Sequence, residues 1–275
     1  MPRNLVGNVT KAVIAMRSVR AKKSLGQHFL KDLDVAERIA STLEEFDLPI
    51  LEVGPGMGVL SQFLFVRYPQ VKLVEVDGES VDYLRAEYPE LGEDLIHGDF
   101  LQMDPTKLFS DQFMVIGNYP YNISSQIFFK ILEYKDRIPA VSGMLQKEVA
   151  LRLASGPGGR DYGILSVLLQ AWYDIVYLFT VDAQLFSPPP KVQSGVIKLV
   201  RNDRQELGCD PDLFKQVIKT TFNQRRKTLR NSIKPLLRER ADGLPEHFLR
   251  RRPEELSVEE FVELTLLVQN IRAEE

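Results

Sequence analysis

Apolar residues recur at helical spacing from Leu33 to Phe46 (Val35, Ile39, Leu43, Phe46), which predicts an amphipathic helix. Beyond it the pattern shortens. Apolar runs at Pro49 to Val53, Val71 to Val76, Asp94 to His97, Phe113 to Ile116 and Ala140 to Leu145 predict buried strands. Helices beginning at Val59, Glu79, Ser124, Lys147 and Ile164 are interleaved with them or follow them. Strands alternating with helices predict a doubly wound, mostly parallel sheet of the Rossmann-like α/β class. Two longer β runs, Asp174 to Val181 and Ser194 to Val200, can close it with an antiparallel, hairpin-like pair. Between them, Phe186-Ser187-Pro188-Pro189-Pro190-Lys191 predicts a stiff polyproline connector, and Gly156-Pro157-Gly158-Gly159 a flexible loop.

The periodicity changes again at Asn202. From Pro211 onward only helical patterns occur, at Leu213 to Phe222, Thr228 to Leu237 and Ser257 to Ile271. Ser257-Val258-Glu259-Glu260 fits a capping box at the start of the last helix. The expected organisation is an α/β domain over residues 1–201 and a small all-helical domain over 202–275. Residues 1 to 15 have no sustained period, and Met16 is a plausible initiator, so they are expected to be a poorly ordered extension.

Composition narrows the class. The single cysteine, Cys209, excludes an internal disulfide, and His28, His97 and His247 are scattered without metal-ligand spacing, so no metal is expected. No apolar run approaches the ~20 residues that span a bilayer. Ala12 to Met16, flanked by Lys11 and Arg17, is too short for a signal peptide. The expectation is a reduced, cytoplasmic protein.

A net charge of −3 hides a segregation of sign. Residues 1 to 31 hold seven basic side chains and no acidic one. Residues 215 to 240 hold nine against Glu239 alone. Two such blocks point to a polyanion, since phosphate contacts supply most non-specific affinity for nucleic acid.

Candidate chemistry falls at strand ends, where parallel sheets place their ligands. Leu51-Glu52-Val53-Gly54-Pro55-Gly56-Met57-Gly58 is a strand entering a glycine turn. A dinucleotide fingerprint would need glycine at position 59, where Val59 stands. Glu75, 21 residues beyond Gly54, can accept hydrogen bonds from ribose hydroxyls, and Asp99 can take an adenine amine. That set suits a nucleoside without pyrophosphate, and S-adenosylmethionine is the candidate. Asn118-Tyr119-Pro120-Tyr121 adds amide and carbonyl acceptors for an exocyclic amine and a ring to stack on a base.

With these motifs in place, the chain from Arg17 to the last helix resembles the ribosomal small-subunit RNA adenine dimethyltransferases. The marks are Lys22 to Leu30, Glu52 to Gly58, Gly117 to Ser125, Leu145 to Val149, Phe186 to Lys191 and Phe222 to Thr228. The resemblance implies a class I methyltransferase fold and S-adenosylmethionine contacts at His28, Leu30, Gly54, Glu75, Asp99 and Asn118. A structural role stands beside that reading for both His28, where the family carries either asparagine or histidine, and Leu30, which suits the core. The resemblance implies that Asn118 and the Pro120 carbonyl receive the adenine amine while Tyr121 and Phe186 hold the flipped base, with anchoring of a loop as the other reading of Phe186 before its three prolines. Lys22, Lys23, Arg225, Arg226, Lys227 and Arg230 would grip the RNA backbone. The implied substrate is small-subunit (16S) RNA within a pre-ribosomal particle, dimethylated at two adjacent adenines of a hairpin loop near its 3′ end by a monomeric enzyme. Tyr119 departs from the leucine common at its position. Three alternatives share parts of this pattern: macrolide-resistance methyltransferases of large-subunit RNA, DNA adenine methyltransferases with an Asn-Pro-Pro-Tyr motif, and a non-catalytic assembly factor on the same fold.

Overall fold

The structure, a computed structural model, describes residues 19–273, so the expected extension over residues 1 to 15 lies outside the described residues. In chain order the main elements are β1 (Phe29–Leu30), α1 (Leu33–Ala40), β2 (Ile50–Val53), α2 (Ser61–Arg67), β3 (Val71–Glu75), α3 (Gly78–Glu87), β4 (Leu95–His97), β5 (Met114–Asn118), α4 (Ser124–Glu133) and β6 (Ala140–Gln146). There follow α5 (Lys147–Ala154), α6 (Ile164–Gln170), β7 (Tyr173–Val181), β8 (Phe186–Ser187) and β9 (Ser194–Arg201). The chain ends in α7 (Pro211–Phe222), α8 (Leu229–Ser232), α9 (Lys234–Leu237), α10 (Glu246–Leu249) and α11 (Val258–Ala273).

Seven strands form one mixed sheet in the order β4-β3-β2-β5-β6-β9-β7. The β3/β4, β2/β3, β2/β5 and β5/β6 pairings are parallel. Every residue of β2 is buried, as expected of a central strand with helices on both faces. The chain runs outward from β2 through β3 to β4 and then crosses back to β5 on the other side of β2, which opens a crevice at the carboxyl ends of these strands. The register brings Val53 opposite Val74 and Glu75 opposite His97, so the three strands end level. Outside this sheet, β1 and β8 pair antiparallel, Leu30 opposite Phe186. That short ribbon replaces part of the expected polyproline connector.

Two compact units emerge. One holds residues 19–147 and 178–198, and the other 148–177 and 199–273. The boundary expected at 202 is therefore corrected: α6 belongs with the C-terminal helices. Residues Leu165 to Leu169 are all buried, and within its unit α6 packs against α7 and α11. An apolar helix looks the same in sequence whichever layer covers it.

In that second unit the Phe222 ring lies 6.3 Å from Tyr162 and 5.9 Å from Phe261, forming an aromatic centre. The capping box is present, with Ser257 N donating to Glu260 (2.8 Å) and Glu260 N to Ser257 Oγ (3.2 Å). The helix expected over Thr228 to Leu237 is broken into α8 and α9, with Pro235 in the first turn of α9. Proline lacks the N–H a continuous helix would use and crowds the preceding turn. Among the described residues no helix is long and apolar enough to cross a membrane.

Candidate active site

One cleft in the first unit collects nearly every residue that the sequence singled out for cofactor and base. His28, Leu30, Gly54, Glu75, Asp99, Asn118, Pro120 and Tyr121 all line it. It lies at the crevice expected of a doubly wound sheet.

The glycine turn after β2 sets its floor. Gly56 adopts a left-handed backbone (φ 59°), and a Cβ there would come within 2.9 Å of the Phe29 ring. Its N–H donates to Glu75 Oε2 at 3.0 Å. The other oxygen of Glu75 accepts from the N–H groups of Val76 and Asp77, both at 2.9 Å. Burial raises the pKa of this carboxyl, and the three N–H bonds oppose the shift. Glu75 thus ties the glycine turn to the end of β3 while remaining in the cleft wall. Asp99, one strand over, accepts from Leu101 N at 2.9 Å and lines the same cleft.

Asn118 ends β5. Its Nδ2 donates to the His28 carbonyl at 3.1 Å, which commits the amide nitrogen and leaves Oδ1 as an acceptor. The Pro120 carbonyl accepts from Ile123 N at 3.2 Å and keeps a second lone pair. Tyr121 is held twice: its hydroxyl lies 2.5 Å from Ser194 Oγ, and its ring centroid is 5.4 Å from that of His28. Burial raises the Tyr121 pKa, so its hydroxyl stays protonated at neutral pH. His28 Nδ1 sits 2.8 Å from the Pro188 carbonyl, which only accepts, so this nitrogen carries the proton. Tyr119 is fully buried, and its hydroxyl donates to the Ser142 carbonyl at 2.8 Å. The ring fits because position 143 is glycine, where a Cβ would lie 2.5 Å from it. The departure from leucine is thus absorbed behind the site.

Phe186 needs a correction. It does not line the cleft and is 1% exposed, packed in the same apolar cluster as Leu30, Ile39 and Val196. Pairing across β1 and β8 seals the ring in the core, so in this conformation it anchors the loop and offers no face to a base. Leu30 is 5% exposed and packs in the core, and it also lines the cleft.

The six expected RNA contacts divide evenly. Lys22 is drawn to Asp77 (2.5 Å) and Glu79 (3.0 Å). Arg225 donates to the carbonyls of Gly159 (3.2 Å) and Arg160 (2.5 Å), and Arg230 pairs with Asp242 and Glu246. These three make internal contacts in this structure. Lys23, Arg226 and Lys227 are exposed and remain available.

Two contributors were missed in the sequence. Ser194 shows in the sequence only as the first residue of a β run, and nothing local indicates that its hydroxyl meets Tyr121. Glu52 was read only as part of the glycine turn. It is 1% exposed, accepts from Ser61 Oγ at 2.6 Å, and burial with the nearby Glu75 charge pushes its pKa up to about 8. Because the folded value exceeds the unfolded one, stability falls as pH rises from about 4.5 to 8, and the full penalty stands above that. Glu52→Gln is therefore expected to be more stable than wild type at pH 9, by roughly 3–5 kcal/mol, with the advantage gone near pH 5. Thermal melts of both proteins across that range check it, and parallel curves would contradict it.

Both the sequence and the fold have known relatives. The family model for ribosomal RNA adenine dimethylase matches residues 18–270. The ribosomal RNA small subunit methyltransferase A of Parabacteroides distasonis is 64% identical over 255 residues, covering 92% of this chain and 96% of its own. A crystal structure of a dimethyladenosine transferase from Plasmodium falciparum shares the fold (TM-score 0.76, 22% identity, 89% of this chain and 98% of that one). The 23S rRNA methyltransferase ErmE gives a TM-score of 0.64 at 25% identity, over 88% of this chain and 99% of its own.

Proposed function

This chain belongs to the ribosomal RNA adenine dimethylase family, and on that premise we propose that it transfers methyl groups from S-adenosylmethionine to N6 of two adjacent adenines in small-subunit RNA. The observation that carries the reading is the amide of Asn118, whose nitrogen is occupied by His28 and whose oxygen is left to receive an amine.

The cleft fits the cofactor. Gly56 lets the turn pack close against Phe29 in the cleft wall, where a side chain would clash, and Glu75 and Asp99 supply the carboxylates that ribose hydroxyls and an adenine amine require. Gly54, His28 and Leu30 would complete its walls. When bound, the cofactor supplies an electrophilic methyl group on a positively charged sulfur.

The remaining chemistry belongs to the protein. The adenine N6 lone pair is delocalised into the ring, which makes the amine a poor nucleophile. Asn118 Oδ1 and the Pro120 carbonyl accept its two hydrogens and favour a pyramidal nitrogen with a directed lone pair. Tyr121, braced by Ser194, offers a stacking face for the base. Proximity and orientation then supply much of the rate gain. No strong base is required, because the alkylated nitrogen is acidic and loses its proton afterwards. A paired adenine hides N6, so the substrate is a single-stranded or splayed base.

Exposed Lys23, Arg226 and Lys227 would hold the RNA backbone. Charge reversal at Arg226 and Lys227 together is expected to weaken RNA binding and reduce the log–log salt slope by roughly 0.7 to 0.9 for each phosphate no longer neutralised. An unchanged slope would mean that they only solvate the surface. The substrate class itself is tested with labelled cofactor on small-subunit particles lacking the modification, with large-subunit particles alongside. Transfer to the small subunit is expected; transfer to the large subunit alone would favour the macrolide-resistance type.

A further inference from the structure

Asp77 has no part in the chemistry above, yet it joins two walls of the cleft. It sits at the turn between β3 and α3 and is 3% exposed. Its N–H donates to Glu75 Oε1 at 2.9 Å. Its side chain reaches the other way: Lys22 Nζ donates to Oδ1 at 2.5 Å and Gln27 Nε2 to Oδ2 at 3.0 Å. The same carboxylate caps α3, accepting from Glu79 N and Ser80 Oγ, each at 3.3 Å. Burial works against its charge, but the Gln27 and Lys22 bonds hold its pKa below the ordinary carboxylate value.

The segment's other tethers are few and polar: Lys22 also pairs with Glu79 at 3.0 Å, Asn122 Nδ2 donates to the Ser24 carbonyl at 3.5 Å, and His28 Nδ1 donates to the Pro188 carbonyl at 2.8 Å. None of residues 22–28 is buried, although Leu25 to His28 line the cleft. It is folded on itself by Leu25 N to Lys22 O (3.1 Å), Gly26 N to Lys23 O (3.1 Å) and Lys22 N to Gln27 Oε1 (2.8 Å). A segment with so few buried apolar contacts belongs to the low-stability end of a fold, so polar tethers decide its position. At its far end the His28 carbonyl receives the Asn118 amide at 3.1 Å.

We infer that Asp77 is a positioning residue for methyl transfer: by gripping Lys22 and Gln27 it holds residues 22–28 across the cleft and, through the His28 carbonyl, sets the Asn118 amide. The positioning role rests on the reaction proposed above; the latch itself does not.

Asp77→Asn separates the latch from the cap. Asparagine caps helices as well as aspartate. Its amide nitrogen, however, must face either Lys22 Nζ or Gln27 Nε2, and both are donors. Lys22→Met attacks the same contact from a partly exposed position and guards against a folding defect. In both variants, hydrogen exchange at the amides of Leu25, Gly26 and Gln27 is expected to speed up at least about ten-fold, as for a segment that opens locally, with protection in β2, β3 and β5 retained. The kcat for methyl transfer is expected to fall about ten-fold with KM for RNA unchanged, and the double variant to lose less than the product of the two single losses, because the residues share the Lys22–Asp77 contact while Gln27 and Glu79 add contacts of their own. Wild-type protection in Asp77→Asn would overturn the latch. Lost protection with wild-type kcat, or losses that multiply in the double variant, would overturn the positioning role. A wild-type protein that transfers no methyl group would overturn the functional reading and the positioning role with it, while the exchange result still decides the latch.

Discussion

Asn118→Ala is expected to abolish methyl transfer, lowering kcat by at least about 10²–10³-fold, the range seen when one preorganised hydrogen-bonding group is removed from a reacting centre. RNA affinity and its salt dependence should stay at wild-type values, since no phosphate contact is touched. The loss has two parts. The acceptor for the reacting amine disappears, and the His28 carbonyl loses the donor that ties residues 22–28 to β5. Asn118→Asp keeps the acceptor but sets a carboxylate oxygen against that carbonyl, so its rate should fall between the two. Single-turnover transfer with saturating RNA checks both variants. Wild-type turnover in Asn118→Ala would sink the proposed role of the amide.

The second large effect is expected at Glu75. Alanine there strips the acceptor from three backbone N–H groups, those of Gly56, Val76 and Asp77. Each buried donor left unpaired costs about 1–3 kcal/mol, so Glu75→Ala should lose roughly 3–9 kcal/mol of stability and its measurable cofactor affinity. Glu75→Gln separates charge from scaffold. The amide retains one oxygen for the Val76 and Asp77 N–H groups and turns a donor toward Gly56, where a donor already stands. It should fold with a milder loss of stability while cofactor affinity falls at least about ten-fold. Calorimetric titration with S-adenosylmethionine and denaturant melts check this pair. Wild-type cofactor affinity in Glu75→Ala would contradict the place of Glu75 in the cofactor wall.

Much of this site was legible because strand-end residues declare themselves locally. A short apolar run followed by Gly54-Pro55-Gly56 or by Asn118-Tyr119-Pro120-Tyr121 leaves few conformations open, and a parallel sheet puts such ends side by side. What escaped depends on partners far along the chain. Lys22 and Asp77 are 55 residues apart, and Arg225 reaches back 65 residues to the Arg160 carbonyl. A basic side chain carries no local sign of whether it meets phosphate or a folded carbonyl. Phe186 was misplaced for a related reason: β1 and β8 are each two residues long, too short to show a period, and only their pairing sends the ring into the core. The boundary at 202 failed because α6 is apolar enough to suit either unit. The break at Pro235 is of another kind, since the proline is visible in the sequence but lies within apolar spacing that suits a continuous helix.

If this cleft dimethylates adenine N6 in small-subunit RNA, the product must carry that mark at defined bases. Small subunits that lack the modification, incubated with the protein and S-adenosylmethionine, allow the modified nucleosides to be mapped. N6,N6-dimethyladenosine is expected at two adjacent positions near the 3′ end of the RNA, and it should be absent when Asn118→Ala is used. Methylation at an atom other than N6, or no modified adenine in small-subunit RNA, would contradict the proposed reaction.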